Sequence, residues 1–190
     1  MCPASSTTLW RAWDLLPEGD HLWRGAAATL LGLAHRTSGD LEAAYRSFAD
    51  GWAILRKTGD STQEITGAFV LANIRTAQGR LREAARIYEQ SLERAAGQGG
   101  PRPPTTADLY VGLSELRREH DDLEAAWWCL QHKELGEHAG LPENRYRWYV
   151  AMARIAEAQG DLDRALDLLD EAQRRYVRSP DPDVRPVAAV

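Results

Sequence analysis

Apolar positions between Thr66 and Ala96 recur at helical spacing on both sides of a single glycine, Gly79. One stripe precedes this glycine and consists of Ala68, Leu71, Ala72 and Arg75. The other follows it and consists of Leu81, Ala84, Tyr88, Ser91 and Leu92. A glycine suits the left-handed conformation that often ends a helix, so the pattern predicts two helices joined by a tight turn. Such a hairpin cannot bury its own stripes and needs copies of itself.

The same pattern occurs four times along the chain. Aligned on the leucine that follows each turn, the anchors are 40, 42 and 39 residues apart: Leu41, Leu81, Leu123 and Leu162. Three residues after each anchor stands an alanine: Ala44, Ala84, Ala126 and Ala165. A large apolar side chain lies seven residues after it (Phe48, Tyr88, Leu130, Leu169) and another ten before it (Leu31, Leu71, Leu113, Met152). The register predicts an all-α array of about four hairpins without a sheet, with the four anchors in equivalent environments.

The register also sets the expected boundaries. Hairpin units are expected at residues 21–60, 61–105, 106–142 and 143–180, with partial repeats at 7–17 and 183–190, all in one solenoid domain. Residues 1–6 are expected to be disordered or vector-derived. Because the chain starts and stops within a repeat, we expect an excised piece of a longer array. Its open ends are expected to be apolar and capable of self-association through Trp10, Trp13, Leu16, Val184, Val187 and Val190.

Three local features depart from the regular pattern. The third turn carries Asp121-Asp122 instead of a glycine, which predicts a tighter or strained turn. Trp127 and Trp128 point about 100° apart on a helix, so one is expected in the core and the other against a neighbouring repeat or partly exposed. Prolines exclude a helix from residues 97–106, which we interpret as a long inter-repeat loop or, alternatively, a hinge or binding loop.

The residues of the first full unit resemble the tetratricopeptide (TPR) motif. Leu31-Gly32, Gly39, Ala44 and Phe48 match its leucine-glycine, turn glycine, alanine and aromatic positions. The period exceeds the usual 34 residues. Repeats near 40 with turns written GDLEAA and GRLREAA are similar to the TPR region of MalT-like transcription regulators, over roughly residues 10–190. The resemblance implies a right-handed superhelix from a large ATP-dependent protein that ends in a LuxR-type DNA-binding domain.

Composition excludes several other classes of protein. The hydrophobic content of 44% supports a packed core, and a formal net charge of −5 with interspersed signs argues against nucleic-acid binding. No apolar run approaches the 18 or so residues of a membrane span. The first residues lack a secretory signal, and two cysteines, Cys2 and Cys129, form no disulfide framework. A cytoplasmic protein is therefore expected.

Chemical motifs are absent from the sequence. Cys129 and His132 have a CxxH spacing, with Glu137 and His138 beyond, but no second pair completes the four ligands of a zinc site. No GxxxxGK[ST], GxGxxG or GxSxG motif occurs. The sequence therefore predicts no catalytic residue, cofactor or metal, and an enzyme is the weakest interpretation.

The resemblance to TPR arrays implies a ligand-binding concave face lined by the first helix of each hairpin. The motif positions that carry over are Leu33 and Arg36, then Phe69, Asn73 and Thr76, then Val111, Glu115 and Arg118, and finally Val150, Arg154 and Glu157. The expected function is effector sensing or protein interaction within a MalT-like regulator. The partners would be a small-molecule effector or peptide and the regulator's other domains, so this segment would neither hydrolyse ATP nor bind DNA. The alternative is a TPR adaptor that grips a peptide of another protein.

Overall fold

A computed structural model describes residues 11, 15–17, 19–97, 103–131 and 145–177. Over these residues the chain forms eight α-helices and one 3₁₀ turn, Arg56–Thr58, and no strand. The helices are α1 His21–Thr37, α2 Leu41–Leu55, α3 Ser61–Ala77, α4 Leu81–Gly97, α5 Thr106–Glu119, α6 Leu123–Cys129, α7 Arg145–Ala158 and α8 Leu162–Val177. The predicted all-α class is therefore confirmed.

The helices pair as hairpins in chain order, α1 with α2, α3 with α4, α5 with α6 and α7 with α8. Contacts divide the chain into two compact units, Met1–Gly99 and Gly100–Val190, referred to below as unit 1 and unit 2. In unit 1, α2 also packs against α3 of the following hairpin. In unit 2, α7 packs against both α5 and α6.

Each hairpin turn has one residue in the left-handed region. Gly39, Gly79 and Gly160 have φ between 73° and 84°, and Asp121 takes the same place with φ 60°. A side chain in this conformation is strained, so the strained third turn that the sequence predicts is confirmed. An aspartate follows three of these positions and caps the next helix: Asp40, Asp122 and Asp161 accept bonds from the backbone N–H groups of Ala43, Ala125 and Arg164.

The core follows the predicted columns. Ala44, Ala84, Ala126 and Ala165 are all buried, and so are Leu31, Leu71 and Leu113. Small residues at the crossings let the two helices of a hairpin approach closely. At Gly32, for example, an added Cβ would lie only 2.5 Å from Cδ2 of Phe48. Two columns contain exceptions. In the column seven residues after the anchor, Tyr88 and Leu130 are buried and Phe48 is half-buried, but Leu169 is 45% exposed. The other is the anchor column. Leu41, Leu81 and Leu123 are half-buried, whereas Leu162 is exposed, because no helix in the described part of the chain packs on that side of α8. Equivalent anchor environments were therefore the wrong expectation for α8.

Several other expectations can be located in the structure. Cys129 is buried, and Trp127 is half-buried with the Arg164 guanidinium 4.8 Å from its ring centroid. Trp128 is exposed, as one of the two indoles was expected to be, but the expectation of a core indole was wrong, because Trp127 is only half-buried. Leu16 is half-buried. The remaining expectations concern Cys2, Trp10, Trp13, His132, Glu137, His138, Val184, Val187, Val190 and residues 98–102, which lie outside the described residues.

Candidate ligand-binding faces of the first helices

The candidate residues of unit 1 lie on α1 and α3, the first helices of their hairpins. Asn73 Oδ1 accepts a hydrogen bond of 3.2 Å from the Tyr88 hydroxyl on α4. The Thr76 hydroxyl donates to the carbonyl of Ala72 within its own helix, at 3.0 Å. Phe69 is half-buried, and both Leu33 and Arg36 on α1 are exposed. The Asn73 oxygen and the Thr76 hydroxyl are thus already hydrogen-bonded within the unit. The two candidates on α1 expose one apolar and one basic side chain.

Apolar exposure on α1 extends beyond Leu33. Trp23, Leu30 and Leu33 are 62%, 51% and 41% exposed, and their offsets of seven and three place them on one side of the helix. Of these three residues, only Leu33 is a binding position of the TPR motif. The exposure of the other two could have been predicted from the helical spacing, because Trp23 and Leu30 lie off the buried stripe that contains Ala27, Ala28 and Leu31.

In unit 2 the predicted charged residues come together between two first helices. Arg154 on α7 donates through Nη1 to Oε2 of Glu115 on α5, at 2.9 Å. Arg118 Nη2 lies 3.5 Å from the same oxygen and also pairs with Glu119. One carboxylate therefore holds two guanidinium groups from two helices. We call Glu115, Arg118, Glu119 and Arg154 the unit 2 charge cluster.

The charge cluster is accessible to solvent from the Arg154 side. The side chain of Arg154 is 45% exposed, whereas those of Glu115 and Arg118 are about a quarter exposed. Val150 is half-buried one turn before Arg154, and Glu157 is exposed one turn after it. Val111 is 4% exposed and packs in the core, so its side chain contributes support and no accessible surface. The cluster is formally neutral and presents one partly exposed guanidinium.

A second charge cluster, which the sequence analysis did not identify, joins consecutive hairpins of unit 1. The guanidinium of buried Arg75 lies 3.4 Å from the ring centroid of Tyr45 on α2. It pairs with Glu42 at 3.6 Å and with Glu83 at 3.0 Å, the latter an ion pair without hydrogen-bond geometry. Its Nη1 also donates to Gln78 at 2.8 Å. The sequence feature that could have indicated this cluster is Tyr45, an aromatic residue four positions after the anchor Leu41. The arrangement fastens α3 onto α2 and is structural.

Sites of other kinds do not appear within the described residues. No three His, Cys, Asp or Glu side chains there gather as a metal site would require. No helix in the described part of the chain is both long and apolar enough to cross a membrane. A small pocket is lined by Ser61, Glu64, Ser91 and Arg94, and two of these lining residues, Glu64 and Arg94, form an ion pair of 3.2 Å.

Solved structures with the same fold are repeat proteins. BtubC (BKLC) from P. vanneervenii has a TM-score of 0.63 and 21% identity, over 97% of this chain and 76% of that chain. A Podosopora anserina protein with nearly identical TPR-like repeats of the kinesin light chain type has a TM-score of 0.64 and 19% identity, over 92% and 86%. The Rap conjugation gene regulator of plasmid pLS20, solved with the Phr* peptide, has a TM-score of 0.71 and 16% identity, over 92% and 49%. At these identities the likeness shows the fold alone.

Sequence comparison places the chain in a family. No curated protein matches it. The family model described as the MalT-like TPR region, however, matches residues 6–189, which is nearly the whole length. The match agrees with the hairpins, turns and buried columns described above. The chain therefore belongs to the MalT-like TPR family.

Proposed function

We propose that this chain is the effector-sensing or protein-interaction region of a MalT-like, LuxR-type transcription regulator, and that it is non-catalytic. Family membership supports the assignment, and a repeat array with interspersed charge supports a role in binding. In this proposal the chain works in the cytoplasm and passes the bound state of its ligand to other domains of the regulator. Those domains would supply ATP hydrolysis and DNA binding.

The observation that carries the proposal is the unit 2 charge cluster. Glu115 holds Arg154 across the contact between α5 and α7, so an anionic ligand group that replaces this carboxylate would change how two first helices are joined. Arginine is suited to such an exchange, because its planar fork binds a carboxylate or phosphate through two parallel hydrogen bonds. We propose Glu115, Arg118, Val150, Arg154 and Glu157 as the binding residues of unit 2, with Val111 beneath them.

The unit 1 residues form a separate proposed surface. Phe69, Asn73 and Thr76 on α3 stand in the same repeat columns as Val111, Glu115 and Arg118. Asn73 keeps its amide nitrogen as a donor while its oxygen accepts from Tyr88. An amide donor beside a half-buried aromatic ring suits a peptide backbone or a polar metabolite.

The second candidate function is a TPR adaptor that binds a peptide segment of a partner protein. The specific observation in its favour is the Rap regulator, a structural neighbour whose structure contains a bound peptide. Both candidates use the first-helix faces and differ in the ligand, which is either a small effector or a peptide.

Calorimetry with a panel of carboxylate- and phosphate-bearing metabolites and of peptides tests the proposal. A hydrogen bond to a charged group contributes about 1.5–3 kcal/mol, so Arg154→Ala and Arg118→Ala should each weaken binding roughly tenfold to a hundredfold. The control is Arg86→Ala, at an exposed position on α4. If a ligand binds and these variants leave its affinity unchanged while the fold is intact, the charge cluster is not the site. A small effector or a peptide as the hit would decide between the two candidates.

A further inference from the structure

The last helix among the described residues, α8, carries an exposed apolar stripe. Leu162, Leu166 and Leu169 of α8 are 62%, 62% and 45% exposed. Their offsets of four and three align them along one side of the helix, next to the side on which Ala165 and Ala172 are buried. Three exposed leucines in line are unusual on a helix that otherwise carries charged residues, and they mark an interaction surface.

The equivalent stripe of α2 shows what covers such a surface in this fold. Leu41, Tyr45 and Phe48 occupy the same repeat positions, and all three are half-buried. A neighbouring helix, α3, lies over them, with the guanidinium of Arg75 stacked 3.4 Å from the centre of the Tyr45 ring. In this fold, the surface formed by these repeat positions therefore packs against an α-helix that contributes a basic side chain.

Charge narrows the kind of helix that fits α8. An aspartate directly follows each exposed leucine, so Asp163, Asp167 and Asp170 form an acidic row about 100° around the helix from the stripe. Asp163 stands in the same repeat position as Glu42 of α2. Where α2 is covered, the Glu42 carboxylate lies 3.6 Å from the guanidinium of Arg75 and 3.7 Å from that of Arg80. A complementary helix would combine exposed apolar side chains with basic residues and few carboxylates.

Helix α1 of this same chain has that chemistry. Between His21 and Thr37 it contains no aspartate or glutamate. Of its two arginines, Arg24 is half-buried and donates to the carbonyl of Leu16 at 3.0 Å, whereas Arg36 is exposed. Its exposed face is Trp23, Leu30 and Leu33. The helix with the acidic row and the leucine stripe, α8, is the last of the described helices. The helix with the apolar face and no carboxylate, α1, is the first, and the two lie in different units.

We propose that α8 of one molecule binds α1 of a second copy of the chain, head to tail. The two surfaces differ, so the contact is heterologous: each added copy presents a further α1 and a further α8, and assembly grows with concentration. Burial of the leucines and Trp23 drives the association, and attraction between the acidic row and the exposed Arg36 of α1 orients it. The contact involves none of the unit 2 charge cluster and does not depend on the proposed ligand.

Analytical ultracentrifugation of two complementary variants tests the contact. Leu166→Glu places a carboxylate in the α8 stripe, and Leu30→Glu places one in the α1 face. Both positions are exposed, so neither change should unfold the chain. We expect the native chain to gain mass with rising concentration and each variant alone to remain monomeric. An equimolar mixture should form a 1:1 dimer, because each partner supplies the face that the other lacks.

Two controls complete the experiment. Arg86→Glu, at an exposed position of α4, should associate as the native chain does. Association should also weaken with added salt, because the Debye length falls from about 10 Å at 0.1 M to about 3 Å at 1 M. A native chain that stays monomeric up to millimolar concentration would overturn the proposal. Failure of the mixture to dimerise, or continued association of either variant alone, would also overturn it.

Discussion

Helices α2 and α8 occupy the same place in their hairpins and carry the same apolar columns, yet only one of the two is covered. Over α2 lies α3, which stacks Arg75 on Tyr45 and receives the Trp52 indole N–H at the carbonyl of Glu64, 2.8 Å away. Over α8 no described helix lies, and its three leucines face solvent.

The difference separates two kinds of sequence signal. The alanine three residues after each anchor packs inside its own hairpin, so Ala44 and Ala165 are both buried. The anchor column instead faces the next hairpin, so its burial depends on whether a partner is present. A repeat pattern therefore predicts contacts within a hairpin more reliably than contacts between hairpins.

The largest expected effect contrasts a buried leucine with a stripe leucine. Leu71→Ala should lower the free energy of unfolding by about 2–5 kcal/mol, because it empties a position that is 2% exposed. Leu166→Ala should change it by roughly 0.5 kcal/mol or less, because its side chain already faces water. Urea denaturation of both variants measures the contrast. Equal losses would mean that α8 is covered in solution.

A smaller effect comes from the covering helix itself. The Cβ of Gly67→Ala would lie 2.0 Å from Cδ1 of Trp52, so the indole must move and the α2–α3 packing loosens. We expect a loss of about 1–3 kcal/mol, the usual cost of overpacking. Gly97→Ala is the matched control, since nothing lies within 4 Å of its added Cβ. Denaturation that ranks the control as the more damaging change would refute the close contact.

The third turn gives an effect of opposite sign. Asp121→Gly removes a strain of about 1–2 kcal/mol and adds a backbone entropy cost of about 0.5–1 kcal/mol. The net gain should be roughly 0.5 kcal/mol, visible as a higher melting temperature in calorimetry. Gly79→Ala should have the reverse effect, because Gly79 has φ 73°. A melting temperature lowered by Asp121→Gly would show that the aspartate stabilises this turn.

The smallest expected effect concerns the ion pairs of Glu171 with Arg174 and Arg175 on α8. Hydrogen bonding to the Arg175 guanidinium, with a further contribution from Arg174, lowers the pKa of Glu171 from its ordinary value of 4.5. A lowered pKa stabilises the fold at pH values above the ordinary one, and this contribution is lost as the pH falls through the folded-state pKa. Glu171→Gln should therefore cost roughly 0.2–1 kcal/mol at neutral pH. Denaturation at a series of pH values should show the native chain and the variant converging in acid.

Local sequence chemistry predicted much of the fold. Three kinds of residue act within one hairpin: glycine or aspartate at the turn, alanine at the crossing, and leucine ten residues before the anchor. The structure confirms the predicted roles of Asp121, Ala84 and Leu71. The exposure of Leu162 could not be predicted in this way, because it depends on the neighbouring helix. The short α6 is a second example, since nothing in LEAAWWC marks an end at Cys129.

The candidate site was predictable only in part. The motif columns identified Glu115, Arg118 and Arg154 as residues of one face, and in the structure ion pairs join them. The columns did not reveal that Val111 is buried or that Asn73 is hydrogen-bonded to Tyr88, because both depend on packing between helices. Ligand binding by these residues stays a prediction.

Hydrogen–deuterium exchange in the dilute chain tests the central contrast most directly. Peptides that cover α2 and α8 can be compared in one experiment, because the two helices have nearly the same length. We expect slower exchange in α2, which packs against helices on two sides, and faster exchange in α8, which packs against a described helix on one side. Exchange in α8 should slow as the chain is concentrated, and Leu166→Glu should abolish that change. Equal protection of the two helices at every concentration would show that α8 is covered as α2 is.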